Sequence, residues 1–283
     1  MIYESYFQHN SEYYFLLHSD LQETRPTLLF IHGLGDSHIN YLPYLHSELA
    51  KYYNILIPDL LGYGKSSAAA DYSFEQQVQG MEQNLNYLQT KFQIQFQHIV
   101  FIAHSMGSIH ATLLCESTFK KNIKGFINVE GSITQFGSFI AESLSRAVTE
   151  NNFDIWYRDF KQKKIYENLA YHASAIRPYY AALEFCQPAA FLQNGLQMYQ
   201  ISRMLKGKYT HIIGEKYAAL TIPTVYCFGD SLAKETLEFL AENNLATRYF
   251  PCQNHFLLAE CVSEFIDFIH AYVVAGAKSR FML

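Results

Sequence analysis

The sequence has few of the features that mark nucleic-acid-binding, membrane-spanning or exported proteins. Its basic residues form no run longer than pairs such as Lys120–Lys121, and its net charge is −5, so nothing predicts a nucleic-acid partner. No apolar stretch approaches the roughly 20 residues that a membrane span needs. The first residues lack the basic and apolar regions of a signal peptide. We therefore expect a cytoplasmic protein without a membrane span.

Cysteine is scarce and irregularly spaced. The chain has five cysteines, an odd number, and their spacing matches no common metal-binding pattern. A scaffold built on disulfides is therefore disfavoured, and reduced thiols in the cytoplasm are the simpler interpretation. We expect neither a metal nor an organic cofactor, and nothing in the sequence specifies an oligomeric state.

The apolar residues, 49% of the 283, are numerous enough for one large domain or for one domain with a cap. Two strand-like runs come first, and strands then alternate with helical patterns. This order predicts an α/β fold with a mostly parallel, eight-stranded sheet and helices on both faces. The predicted strands are Tyr3–Gln8, Tyr13–His18, Thr27–His32, Asn54–Pro58, His98–Ala103, Gly125–Glu130, Thr224–Phe228 and Thr247–Phe250.

One long segment interrupts this alternation. Residues 132–220 have helix-like sequence and no convincing strand, although the predicted sixth and seventh strands lie on either side. We interpret the segment as a helical cap over the active site, which would exclude water and shape the pocket. The core domain then comprises residues 1–131 and 221–283.

The stretch Ala103–Gly107, with Ser105 at its centre, is the most informative motif. It follows an apolar, β-branched run and leads into a segment with helical spacing. A serine in a tight turn between strand and helix is typical of a nucleophile elbow, where small residues flank the nucleophile because strand and helix pass close together. Ala103 replaces the usual glycine with one additional methyl group. The pattern predicts Ser105 as a catalytic nucleophile.

A serine hydroxyl needs a base, an acid that orients the base, and donors for the oxyanion. His255 is the predicted base, because it lies in the loop after the last strand, where an imidazole can reach Ser105. The predicted oxyanion donors are two backbone amides. Met106 follows the nucleophile at the positive end of a helix, and Leu34 lies in a glycine-containing loop after the third strand.

Four segments together resemble the α/β-hydrolase fold family, in the order that the family has them. They are Leu28–Gly35, Pro58–Ser66, His104–Gly107 and Asn254–Phe256. The resemblance covers nearly the whole chain outside the cap and implies the fold, but no particular substrate. In that family the Asp-x-x-Gly-x-Gly-x-Ser segment is mainly a structural turn, so Asp59 is expected to be structural. Dehalogenases and epoxide hydrolases of the family use an aspartate nucleophile, and Ser105 argues against both chemistries.

The acid is the point at which the sequence departs from the family's pattern. The family often places an aspartate three residues after the glycine that ends the seventh strand, where this chain has Leu232. Asp230 lies at the right strand end and is one candidate. The other is Glu130, a carboxylate at the end of an otherwise apolar strand, where it needs a partner to be buried. The Val-Glu-Gly run resembles a subgroup whose later position is not acidic. We favour Glu130.

The combined pattern predicts a serine hydrolase that cleaves a small-molecule ester or related acyl compound through an acyl-enzyme. The same serine and histidine would also serve a carbon–carbon or amide hydrolase or an acyltransferase, since these differ in the pocket. A ligand-binding protein without turnover, on the same scaffold, is the alternative from another class.

Overall fold

Eight strands form a single sheet in this computed structural model, which describes residues 1–168 and 173–278. The strands are β1 (Ile2–His9), β2 (Glu12–Ser19), β3 (Thr27–Ile31), β4 (Asn54–Pro58), β5 (Ile99–His104), β6 (Ile123–Val129), β7 (Thr224–Phe228) and β8 (Thr247–Tyr249). Their order across the sheet is β1-β2-β4-β3-β5-β6-β7-β8. β1 and β2 pair antiparallel, β2 pairs antiparallel with β4, and the remaining pairs are parallel. The predicted fold class is confirmed.

The central strands are apolar along their whole length because both of their faces are covered. In β3, Leu29 and Ile31 belong to one apolar layer, whereas Leu28 and Phe30 belong to the layer on the opposite face. This alternation follows from the period of two in a strand. All of β3, β4 and β5 is buried, as expected for parallel strands between two helical layers.

Thirteen α-helices are described. They are α1 (Leu42–Leu45), α2 (Leu49–Tyr52), α3 (Phe74–Phe92), α4 (Gly107–Leu114), α5 (Phe139–Thr149), α6 (Phe153–Asp159), α7 (Tyr166–Asn168), α8 (Ala173–Glu184), α9 (Pro188–Arg203), α10 (Ile212–Ala218), α11 (Lys234–Glu242), α12 (Leu257–Glu260) and α13 (Val262–Lys278). Short 3₁₀-helices span His38–Tyr41 and Gln135–Ser138, and a π-helical turn spans Phe160–Ile165. Among the described residues no helix is both long and apolar enough to cross a membrane.

Two helical segments are shorter than their apolar spacing predicts. The segment Tyr41–Lys51 is divided between α1 and α2, and the Ser47 hydroxyl accepts a hydrogen bond from the Leu49 amide where the chain turns between them. Helical spacing continues to Phe119, but α4 ends at Leu114, and the Glu116 and Ser117 amides bond three residues back, as in a 3₁₀ turn. Apolar periodicity therefore locates these helices but not their ends.

The chain between β6 and β7 is helical in its described part. It contributes α5 to α10 and two isolated β-bridges, and residues 169–172 of the predicted cap lie outside the described residues. α5 packs against α9, while α8 contacts both the 3₁₀-helix His38–Tyr41 and α12. These helices therefore extend over the loops that follow β3 and β8. The boundaries 132 and 220 stay a prediction.

Candidate active site

Ser105 lies in a strained turn between β5 and α4. Its φ angle is +52°, in the left-handed region that a non-glycine residue rarely adopts. The Ser105 amide donates to the Val129 carbonyl at 3.0 Å, and the Ser108 hydroxyl donates to the Ser105 carbonyl at 2.7 Å. A Cβ atom at Gly107 would collide with the Ile31 carbonyl oxygen, so only glycine fits there. These contacts give Ser105 the strand–turn–helix geometry of a nucleophile elbow.

Glu130 and His255 form a buried pair. The Nδ1 of His255 donates to Oε2 of Glu130 at 2.7 Å, and the other carboxylate oxygen accepts from the Gly229 amide at 2.8 Å. The Glu130 side chain is 4% exposed and that of His255 is 21% exposed. Both carboxylate oxygens therefore have partners, as a buried carboxylate requires. Because Nδ1 donates in this bond, Nε2 is the acceptor nitrogen of the neutral ring.

Asp230 has a different environment. It lies at the surface beyond β7, where its Oδ1 accepts a hydrogen bond from the Tyr249 hydroxyl at 2.6 Å. Its amide donates to the Cys252 carbonyl at 2.8 Å. Of the two carboxylates that the sequence offers, the structure thus brings Glu130 to His255 and leaves Asp230 beside Tyr249.

A small cavity joins Ser105 to His255 and to the loop after β3. The space open to the centres of water molecules in it is about 30 Å³. Apart from the elbow and this loop, its walls are mainly apolar side chains of the cap and of the His255 loop, namely Ile140, Ala141, Tyr179, Met198 and Phe256. Such a lining suits the hydrocarbon part of an acyl group.

The loop after β3 approaches the elbow closely. A Cβ atom at Gly33 would lie 3.2 Å from the Ser105 Cβ, and the next residue, Leu34, lines the small cavity. Neither the Leu34 amide nor the Met106 amide donates a hydrogen bond to another described residue. The two predicted oxyanion donors therefore flank the serine, with no competing acceptor in the described part of the chain.

Sequence reasoning missed the role of His104. Its Nε2 donates to the His255 carbonyl oxygen at 2.8 Å, and the two rings lie 4.7 Å apart. Burial lowers the pKa of His104 to about 3, so the ring is neutral at physiological pH. A neutral donor of this kind holds the His255 loop against the elbow without adding a positive charge. The contact spans 151 residues, and no local pattern indicates it.

Tyr179 was also missed, and it connects the cap to both halves of the site. Its hydroxyl donates to the Leu34 carbonyl oxygen at 3.0 Å, and its ring lies 4.6 Å from the ring of Phe256. It is 2% exposed, on α8. Tyr179 therefore contacts the loop that carries one predicted oxyanion donor and the residue that follows the predicted base.

Two histidines in the segment after β3 have structural partners. His32 accepts from the Leu60 amide through Nε2 and donates from Nδ1 to the Gly33 carbonyl; burial lowers its pKa. His38 bonds through Nδ1 to Oδ2 of Asp59 at 2.7 Å, and Asp59 also accepts from the Lys65 amide. These bonds hold the loops after β3 and β4 together, which agrees with a structural Asp59.

The site brings together side chains and backbone groups of complementary chemistry. Within residues 1–168 and 173–278, no group of three or more His, Cys, Asp or Glu side chains could hold a metal ion. The assembled groups are a hydroxyl, an imidazole with a carboxylate partner, and two backbone amides, which together suit nucleophilic acyl transfer.

Comparison with known proteins agrees with this fold. Residues 26–173 match the model of a family described by the α/β hydrolase fold. An uncharacterized protein of Mycobacterium tuberculosis is 34% identical over 83 residues, 29% of this chain and 22% of that protein. An epoxide hydrolase of Caballeronia sordidicola is 28% identical over 95 residues, 34% of this chain and 28% of that protein. Each match thus covers less than a third of the relative's length.

Solved structures show the same architecture over nearly the whole chain. One, from a study of carboxylesterases of Nitrososphaera gargenis, superposes with a TM-score of 0.72 and 12% identity, covering 97% of this chain and 99% of that one. At this identity the likeness shows the fold alone.

Proposed function

Because the chain belongs to the α/β-hydrolase fold family, we propose that it is a serine hydrolase cleaving a carboxylic ester or related acyl compound through an acyl-enzyme on Ser105. The observation that carries the proposal is the pairing of His255 with Glu130 at 2.7 Å beside a cavity that Ser105 also lines. A base with an oriented ring next to a serine in an elbow is the arrangement that activates a hydroxyl.

In the proposed mechanism, Nε2 of His255 takes the proton of the Ser105 hydroxyl as its oxygen attacks the carbonyl carbon. Glu130 stabilises the imidazolium that forms, while the amides of Leu34 and Met106 donate to the oxyanion. His255 then gives its proton to the leaving oxygen, and the ester between Ser105 and the acyl group remains. His255 next activates a water molecule, which releases the acid and restores the serine.

The epoxide hydrolase relative does not extend the proposal to epoxides. The resemblance assigns an aspartate nucleophile to that chemistry, and this chain has Ser105 at the elbow. We also propose a cytoplasmic location, which the free state of the five cysteines supports.

The test is turnover of a p-nitrophenyl ester by Ser105→Ala. We expect hydrolysis to fall to the background rate, because no other group replaces the nucleophile, while the fold remains intact as judged by circular dichroism. Ser11→Ala, at an exposed position in the turn between β1 and β2, is the matched control and should retain full activity. Full activity of Ser105→Ala would overturn the proposal.

A further inference from the structure

A second and larger cavity lies beside the Glu130–His255 pair. The space in it open to the centres of water molecules is about 320 Å³, against about 30 Å³ for the small cavity at Ser105. Its walls come from the residues after β6, the start of α11 and the loop that carries His255. His255 and Gly137 line both cavities, so the two cavities adjoin at these residues.

The two cavities differ in the size of group that they can take. The space open to the centres of water molecules is about ten times greater in the larger cavity than in the small one. An ester whose carbonyl carbon lies at Ser105 extends in two directions, the acyl chain one way and the leaving oxygen with its substituent the other. The leaving oxygen must reach His255 to receive a proton, and His255 is where the larger cavity begins.

The larger cavity lies beside His255 because the carboxylate partner of His255 comes from the end of β6 and not from the loop after β7. Glu130 reaches His255 from the end of β6, and the loop after β7 supplies the Gly229 amide to the pair. Leu232 and Ala233 of that loop line the larger cavity instead. The side chain of Asp230 bonds to Tyr249.

The walls of the larger cavity have mixed polarity. Ser231 and Gln253 are exposed, and neither side chain has a hydrogen-bond partner among the described residues. Phe136, Leu232 and Ala233 provide the apolar part. Glu130 at the base of the cavity would repel a negatively charged group. The lining therefore suits an uncharged group of about ring size that also carries a hydroxyl or carbonyl.

We propose that the larger cavity is the leaving-group subsite and that it accepts an uncharged, ring-sized alcohol bearing a further hydrogen-bonding group. The inference rests on the proposed function, since it needs an acyl transfer at Ser105. The proposal implies a substrate whose acyl group is short and apolar and whose alcohol is larger and more polar.

The experiment compares two esters of one acid whose alcohols have similar acidity, methyl butyrate and benzyl butyrate. Ala233→Phe would place a ring in the larger cavity. We expect it to lower the ratio of kcat/KM for benzyl butyrate to kcat/KM for methyl butyrate about tenfold. Ala219→Phe, which adds the same ring at an exposed position after α10, is the matched control and should leave the ratio unchanged.

A second substrate tests the polar wall. Adding a hydroxymethyl group to the benzyl ring should raise kcat/KM in the wild-type protein, and Gln253→Ala should remove part of that gain. If Ala233→Phe does not fold by circular dichroism, Ala233→Leu is measured in its place. An unchanged ratio in the folded variant overturns the subsite. Hydrolysis of both esters by Ser105→Ala would instead overturn the proposed function.

Discussion

At the scale of single residues, two carboxylates are candidates for orienting His255. Glu130 combines burial, a bond to Nδ1 and a second bond to a backbone amide, whereas Asp230 lies at the surface beside Tyr249. A carboxylate bonded to Nδ1, as that of Glu130 is, holds the imidazole in one tautomer and stabilises its charged form during the reaction. The carboxylate of Asp230 has no such contact.

Replacing each carboxylate by its amide distinguishes the roles of Glu130 and Asp230. Glu130→Gln should lower kcat about 10³- to 10⁴-fold, because the amide cannot stabilise the imidazolium and favours the wrong tautomer. Asp230→Asn should leave kcat within about twofold, since it changes only a surface bond. Steady-state kinetics on one p-nitrophenyl ester measures both, and the reverse order of effects would identify Asp230 as the acid.

At the scale of elements, α8 of the cap contacts the site through Tyr179. The Tyr179 hydroxyl bonds to the Leu34 carbonyl, and its ring contacts Phe256. The bond holds the peptide unit next to the Leu34 amide, which the proposed mechanism uses for the oxyanion. Among the described residues, one buried hydrogen bond thus connects the cap to the loop after β3.

Tyr179→Phe removes that bond and keeps the ring. We expect kcat to fall about fivefold with little change in KM, because a hydrogen bond worth about 1 kcal/mol then no longer positions the loop in the transition state. Tyr180→Phe on the same helix is the control, since the Tyr180 hydroxyl has no hydrogen bond within the described part of the chain. A rise in KM at constant kcat would assign Tyr179 to substrate binding instead.

Strands and site were predictable from sequence to different degrees. The eight strands were found because each is a short apolar run between turns, while helix ends such as Leu114 depend on local hydrogen bonds that periodicity does not encode. Ser105 and His255 are predicted from their positions at strand ends, and the structure places them at one cavity. The choice between Glu130 and Asp230 needed the distance to His255, and His104 and Tyr179 act through contacts about 150 residues apart in sequence.

At the scale of the whole molecule, the protonation of a buried carboxyl near the site affects the free energy of unfolding. Asp36 is 2% exposed and lines the small cavity, and burial raises the pKa of its carboxyl to about 7, against hydrogen bonds from Asn40 and the Ser37 amide. The folded state therefore binds this proton more tightly than the unfolded state does. The contribution to stability is complete below about pH 4 and is lost as the pH rises through about 7.

Asp36→Asn should remove this dependence. Between pH 4 and pH 8, ionisation of Asp36 should lower the free energy of unfolding of the wild-type protein by on the order of 4 kcal/mol. The variant should lack this decrease. Urea unfolding at several pH values measures the difference in slope between the two proteins. Parallel profiles would show that Asp36 is ionised in the folded state throughout this range.

The most direct test of the central claim is covalent labelling by a fluorophosphonate, followed by intact-mass measurement and peptide mapping. Its phosphorus forms a bond with an activated serine oxygen, and fluoride leaves. We expect one adduct per wild-type chain, located on Ser105, slower labelling of Glu130→Gln and none of Ser105→Ala. A wild-type protein that stays unlabelled while a known serine hydrolase reacts, or an adduct that maps to another residue, would contradict the account.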